Sequence, residues 1–227
     1  IEAVRDGNLP VDRMVLDSVY PPGVGSHLAI LPEHFERLLE AIERRCHAIG
    51  ACPSTSGGIR APLRRALDRL AKAPLVVEGN DLAGGRGRVP LRLEANDLFE
   101  LLFAGLYGED RTAGLPAMLD DLAGRGPDDR WQALFDTVVT MWLDPSTSLV
   151  AHHLIGCRDN PPLEREKLDK QLAAWPGFAD ALRPQEWQYG LCERLGVLPA
   201  PLATDWTVKV PTLLLGRSVD PATPLEQ

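Results

Sequence analysis

Lysine is scarce in this chain. It occurs only at positions 72, 167, 170 and 209, so nearly all of the 24 basic residues are arginines. The arginines are scattered, which reads as genome composition rather than a binding surface. Positive charge is also in deficit: 24 Lys and Arg face 32 Asp and Glu, for a net charge of −8 and a pI near 5.2. That balance argues against nucleic acid or an anionic membrane as the main partner. No apolar run approaches the roughly 18 residues that a membrane span needs. No signal peptide stands at the start. The chain opens on Ile1 rather than Met, and the expectation is a processed, truncated or partial chain. The compartment therefore stays open.

Catalytic and metal signatures are missing too. The four cysteines form no Cys-x-x-Cys, so a zinc ribbon or a thioredoxin-like site has little support. No serine is flanked by glycines two before and two after, so the nucleophile elbow Gly-x-Ser-x-Gly is absent. Ser218 comes nearest, with Gly216 before it but Asp220 after it. "GGRGR" at 84–88 lacks the third glycine and the helix of a dinucleotide fingerprint. His152 and His153 are adjacent, so on a helix they point about 100° apart, with no third ligand spaced for them. They read as packing or surface residues.

What is present is ordinary for a soluble globular protein: 227 residues, 44% hydrophobic and 25% charged. That suffices for one large domain, or for a core domain with a sizeable insertion. Residues 11–20, "VDRMVLDSVY", read as a short buried strand ended by Pro21-Pro22-Gly23. Residues 207–216, "TVKVPTLLLG", read as a second, and the run Leu213-Leu214-Leu215 suits a parallel strand buried on both faces. Between them helical periodicity dominates. "PEHFERLLEAIERRCHA" puts Phe35, Leu38, Leu39 and Ile42 on one stripe, with Pro32 in a first turn. "APLRRALDRLAK" does the same through Leu63, Leu67 and Leu70. "PLVVEGNDLAGGRGRVPLRLEAND" breaks the pattern with two apolar runs around a Gly-rich turn, which predicts a hairpin. Six further helical stretches follow before residue 197. A long helical insertion between two strands of one sheet is the simplest account.

Cys46 and Cys52 lie six apart, whereas Cys157 and Cys192 are distant in sequence. Two disulfides, 46–52 and 157–192, fit an oxidising compartment. Four buried thiols in a cytosolic protein fit the composition as well.

One segment stands out: "PTLLLGRSVDPATP", a buried strand, a glycine, a short turn, then Asp220 on a proline-stiffened loop. In α/β-hydrolases the triad acid follows a late core strand and orients the histidine. A plain turn aspartate that caps the next element accounts for the same pattern.

The sequence as a whole resembles the tripeptidyl-aminopeptidase-like branch of the α/β-hydrolases, relatives of the prolyl aminopeptidases. "VDRMVLDSVYPP" is similar to the family's strand after the nucleophile helix, with Ser18 where glycine is usual. "CHAIGAC" is similar to its closely spaced cysteine pair, and "HHLIGCRDN" to a segment of its cap. "LCERLGV" matches a later cap segment, with Leu195 where tryptophan is common. "VPTLLLGRSVDPATP" corresponds to the acid loop.

The resemblance implies an α/β fold: part of a hydrolase core, with two or few parallel strands, and a large, mostly α-helical cap insertion. It divides the chain into a core strand segment (1–23), a helical cap (24–205), and a core strand with the acid loop (206–227). It implies a serine hydrolase, an aminopeptidase that releases N-terminal residues or short peptides, with Asp220 as triad acid. The serine and histidine would lie in N- and C-terminal segments outside this chain. A small peptide or ester would be the substrate, and triad chemistry calls for no cofactor and no metal. Recognition of a free α-amine calls for carboxylates in the cap, and Asp159 beside Cys157 is the candidate. A helix-capping or turn role explains Asp159 equally simply. Secretion or a periplasmic location fits the paired cysteines, with the cytoplasm as alternative. The rival reading is a non-catalytic helical binding or interaction module.

Overall fold

The computed structural model describes residues 10–19, 27–50, 58–107, 109–159, 165–175, 179, 187–200, 209–217 and 220, and the account below concerns these. Strand β1 (Met14–Asp17) and the last strand, β4 (Thr212–Leu215), pair in parallel. Met14 stands beside Thr212 and Asp17 beside Leu215. Nearly the whole chain lies between them, as a crossover joining neighbouring parallel strands requires.

The excursion opens with α1 (His27–Ala48) and α2 (Arg60–Lys72). The stripe of Phe35, Leu38, Leu39 and Ile42 is buried, as its spacing predicts. Pro32 does not begin α1, whose backbone is already helical from His27. Proline's fixed φ is itself helical, so its cost in a longer helix is one lost hydrogen bond and local crowding. Arg60 places a cation in the first turn of α2, where the helix dipole disfavours it. Carboxylates of α1 offset this. Glu36 accepts from Arg60 Nε at 3.0 Å, and Glu43 accepts from Arg60 Nη1 at 2.9 Å and from the Ile59 N–H at 2.9 Å.

The Gly-rich segment forms the expected antiparallel hairpin, β2 (Leu75–Asp81) and β3 (Gly87–Leu93). Gly85 and Gly87 both adopt positive φ in and beside its turn. Asp81 is buried and holds that turn, accepting from the Gly84 N–H at 2.7 Å and the Arg86 N–H at 3.3 Å. Helices α3 (Asp97–Leu106), α4 (Glu109–Gly124), α5 (Asp129–Leu143), α6 (Leu149–Asp159), α7 (Arg165–Ala173) and α8 (Trp187–Leu195) follow. Asp128 caps α5, accepting from the Arg130 N–H at 3.0 Å.

The core of the described residues lies wholly within this excursion, from Phe35 to Leu172. Trp131 is fully buried there, and its Nε1 donates to the Met118 carbonyl at 3.2 Å. Helix α5 packs on the buried face of the hairpin's first strand, the face of Gly79, while the opposite face leaves Val76 exposed. Gln132, Asp136 and Thr140, spaced at i, i+4 and i+8, bond to β2 groups from Glu78 to Leu82. Gly79 lets the helix come this close, since a Cβ there would lie 2.6 Å from the Phe135 carbonyl oxygen.

The β1–β4 pair stands apart from that core, and here one expectation is corrected. The leucine run of β4 is not buried on both faces: Leu213, Leu214 and Leu215 are all exposed, Leu214 at 59%, and Val15 of β1 is 61% exposed. Consecutive strand residues alternate faces, so both faces of the two-stranded sheet are apolar and open. Two strands alone have too little neighbouring structure to cover either face.

Candidate active site

Two features lie where the parallel strands end. Ser18, just past β1, donates its N–H to the Leu215 carbonyl at 2.9 Å, and its φ is +50°. That left-handed conformation is free for glycine and costly for other residues. On the neighbouring strand, Gly216 and exposed Arg217 lead to Asp220, which is 9% exposed. The Asp220 N–H donates to the Arg217 carbonyl at 3.1 Å, closing a turn after β4. Ala222 and Thr223, whose amides could brace a turn aspartate, lie outside the described residues.

Partial burial, and then the negative charge of Asp220, raise the pKa of the Tyr107 phenol. Tyr107 follows α3 directly, and its ring meets Phe103 edge-on at 5.6 Å between centroids. Glu100, Phe103 and Tyr107 stand at i, i+3 and i+7, so they share one face of α3. Burial also raises the Glu100 pKa, with a contribution from the Asp97 charge, while a hydrogen bond from Trp142 of α5 lowers it. Asp97 is raised by burial as well, against the Glu94 N–H that donates to its Oδ2 at 2.7 Å. Among the described residues no Lys or Arg forms an ion pair with Asp97 or Glu100. Sequence reading missed Glu100, Tyr107 and Trp142. The available signal was the i, i+3, i+7 spacing of a carboxylate and two aromatics on a helix otherwise made of core residues.

Asp159 is the last residue of α6 and is exposed. A carboxylate there faces the negative end of the helix dipole. Two residues earlier Cys157 is bonded to Cys192, with Cα atoms 5.4 Å apart, and this joins α6 to α8. Cys46 is buried and disulfide-bonded, whereas Cys52 lies outside the described residues. The rings of His152 and His153 meet edge-on at 5.3 Å, and burial followed by the His152 charge lowers the His153 pKa. No group of metal-binding side chains occurs among the described residues. No described helix is long and apolar enough to cross a membrane. An open groove on α1 is lined by Glu40, Glu43, Arg44, His47 and Ala48, but Glu43 is already engaged with Arg60 and Ile59.

Comparison of the chain with protein-family models, with curated proteins and with solved structures finds no match in any of the three.

Proposed function

We propose that the chain is the cap and acid-loop part of a serine hydrolase of α/β type, an aminopeptidase acting on peptides. The observation that carries this reading is the end of the β1–β4 pair. Two parallel strands separated by a helical excursion present one buried carboxylate, Asp220, just past their C-terminal ends. Ligand and catalytic groups of open α/β sheets gather at that edge. The apolar, uncovered faces of both strands support the same reading, because they suit the interior of a larger sheet. Asp220 would hold the imidazole of a histidine that activates a serine, both supplied by segments outside this chain. The helical unit from α1 to α8 would close over the site and exclude water. Its carboxylates, Asp159 among them, would receive the substrate's amine. The α6–α8 disulfide supports a secreted or periplasmic location.

The test is hydrolysis of an aminoacyl or tripeptidyl anilide by the protein that contains this chain. Turnover blocked by a serine-directed fluorophosphonate is expected; turnover indifferent to it would contradict the proposal. An ester substrate in the same assay separates peptidase from esterase. The second reading, a non-catalytic helical module, draws on the self-contained core between Phe35 and Leu172. A Gly-x-Ser-x-Gly upstream in the gene and a histidine downstream favour the enzyme, and a start codon just before Ile1 favours the module.

A further inference from the structure

Helix α6 turns its apolar side outward. At roughly 100° per residue, Val150, Ala151, Leu154 and Ile155 fall within one arc of about 140°. All four are exposed, Val150 at 68% and Ile155 at 59%. A stripe of that width on a helix of a globular protein ordinarily faces a core. The core of the described residues passes α6 by. Only Cys157 is buried among its described side chains, and that residue is bonded to Cys192 of α8. Helix α8 borders the stripe. Leu195 stands three residues after Cys192, on the α8 face turned to α6. Arg158 Nη1 donates to the Leu198 carbonyl at 3.1 Å, which sets Leu198 beside the end of α6. The Ala200 N–H fixes the same segment, donating to the Arg158 carbonyl at 2.6 Å. Both leucines are exposed, Leu198 at 76%. Together these side chains leave open on the order of 500 Å², a size at which an apolar patch on a monomer is often functional.

We infer that this face docks a second copy of the chain, with the two α6 helices antiparallel about a two-fold axis at Leu154. Area supports a pair of copies. These side chains alone would bury about 1,000 Å² in total, the lower end of what a specific interface needs. The face also suits its own image. Leu154 is the middle of the eleven residues of α6, so a two-fold there sets it against itself, as an isologous contact requires. One turn away, Val150 of one copy meets the aliphatic stem of Arg158 in the other, and such stems cover apolar surface well. The Arg158 head is already turned to the Leu198 carbonyl. Electrostatics select the direction. Asp159 lies at the negative end of its own helix, and the first turn of α6 holds no acidic residue. An antiparallel neighbour sets that carboxylate against a positive helix end, where it is favourable. A parallel pair would leave Asp159 of both copies beside two negative ends.

Sedimentation velocity of the chain from about 1 to 300 μM is the test. A reversible monomer–dimer equilibrium is expected, with a Kd in the micromolar range that suits an interface of the smallest specific size. Ile155→Glu would bury a charge in the pair and should weaken the dimer at least roughly tenfold. Leu214→Glu, on the open strand β4, should leave it unchanged. Both positions are exposed, so far-ultraviolet circular dichroism should not move. Asp159→Lys should weaken the dimer by about two- to fivefold, because it sets a cation at a positive helix end. Leu154→Cys, placed on the two-fold axis, should join two copies through a disulfide between the introduced cysteines on air oxidation. A monomer throughout, a dimer that survives Ile155→Glu, or no cross-link through Leu154→Cys would overturn the inference. So would a dimer that Leu214→Glu dissolves, since that assigns association to the open sheet. A monomer over the same range in the protein that contains this chain would give the α6 face to its other segments, and the inference would fall.

Discussion

Single residues decide how closely the elements of this protein approach. Gly79 admits α5 to the face of β2, and the Phe135 carbonyl leaves no room for a Cβ. Gly79→Ala should therefore destabilise the protein by about 1–3 kcal/mol, the usual cost of overpacking. A lower urea midpoint with an unchanged m-value would check it. Ser18 is the opposite case, a side chain where the backbone suits glycine. Ser18→Gly should stabilise the β1–β4 end by about 1 kcal/mol, seen as slower amide exchange of the Ser18–Leu215 pair. Apolar spacing made Phe35, Leu38 and Leu39 legible as core in the sequence. Ser18's backbone was not legible from the sequence alone, since a positive φ leaves no periodic trace. Nor was the burial of Asp220, since an aspartate after a strand carries no sequence mark of what will cover it.

At the scale of elements, α5 and β2 are held by a polar seam rather than by apolar packing alone. Burial alone would raise the Asp136 pKa, but bonds from the Asn80 N–H, Gln132 and the Asn80 side chain, with the Arg88 charge, bring it below the ordinary aspartate value. A depressed carboxylate stabilises the fold above its unfolded pKa and loses that contribution as pH falls through the folded one. Asp136→Asn should thus flatten the acid limb of the stability–pH curve below about pH 4, measured by urea unfolding at a series of pH values. An unchanged acid limb would show that the seam carries no net charge energy. The hairpin was legible because its glycines sit between two apolar runs, and Pro90 with Arg88 and Arg92 on β3 blunts its outer edge. The partnership of α5 with β2 was hidden, since Gln132, Asp136 and Thr140 look like a solvent face when read alone. The Cys157–Cys192 bond closes a span of 35 residues, which corresponds to at most about 4 kcal/mol of chain entropy. Replacing both cysteines with serine should loosen α6 and α8 first and leave the α1–α5 core protected in hydrogen exchange.

For the molecule as a whole, two bodies of different character coexist: a helical unit with its own core, and a two-stranded parallel sheet with uncovered apolar faces. Their parallel pairing was legible from two short apolar runs at opposite ends of the chain. Their exposure was not, because an apolar run states a preference for burial and not the presence of a neighbour to provide it. The central claim is that Asp220 serves as a triad acid, and the most direct measurement is kcat for Asp220→Asn in the protein that contains this chain, assayed as the proposed hydrolase. The hydrolase reading predicts a fall of about 10⁴ in kcat with folding intact, the usual consequence of losing a triad acid. A near-normal rate would contradict it and leave Asp220 a buried turn residue at the end of β4.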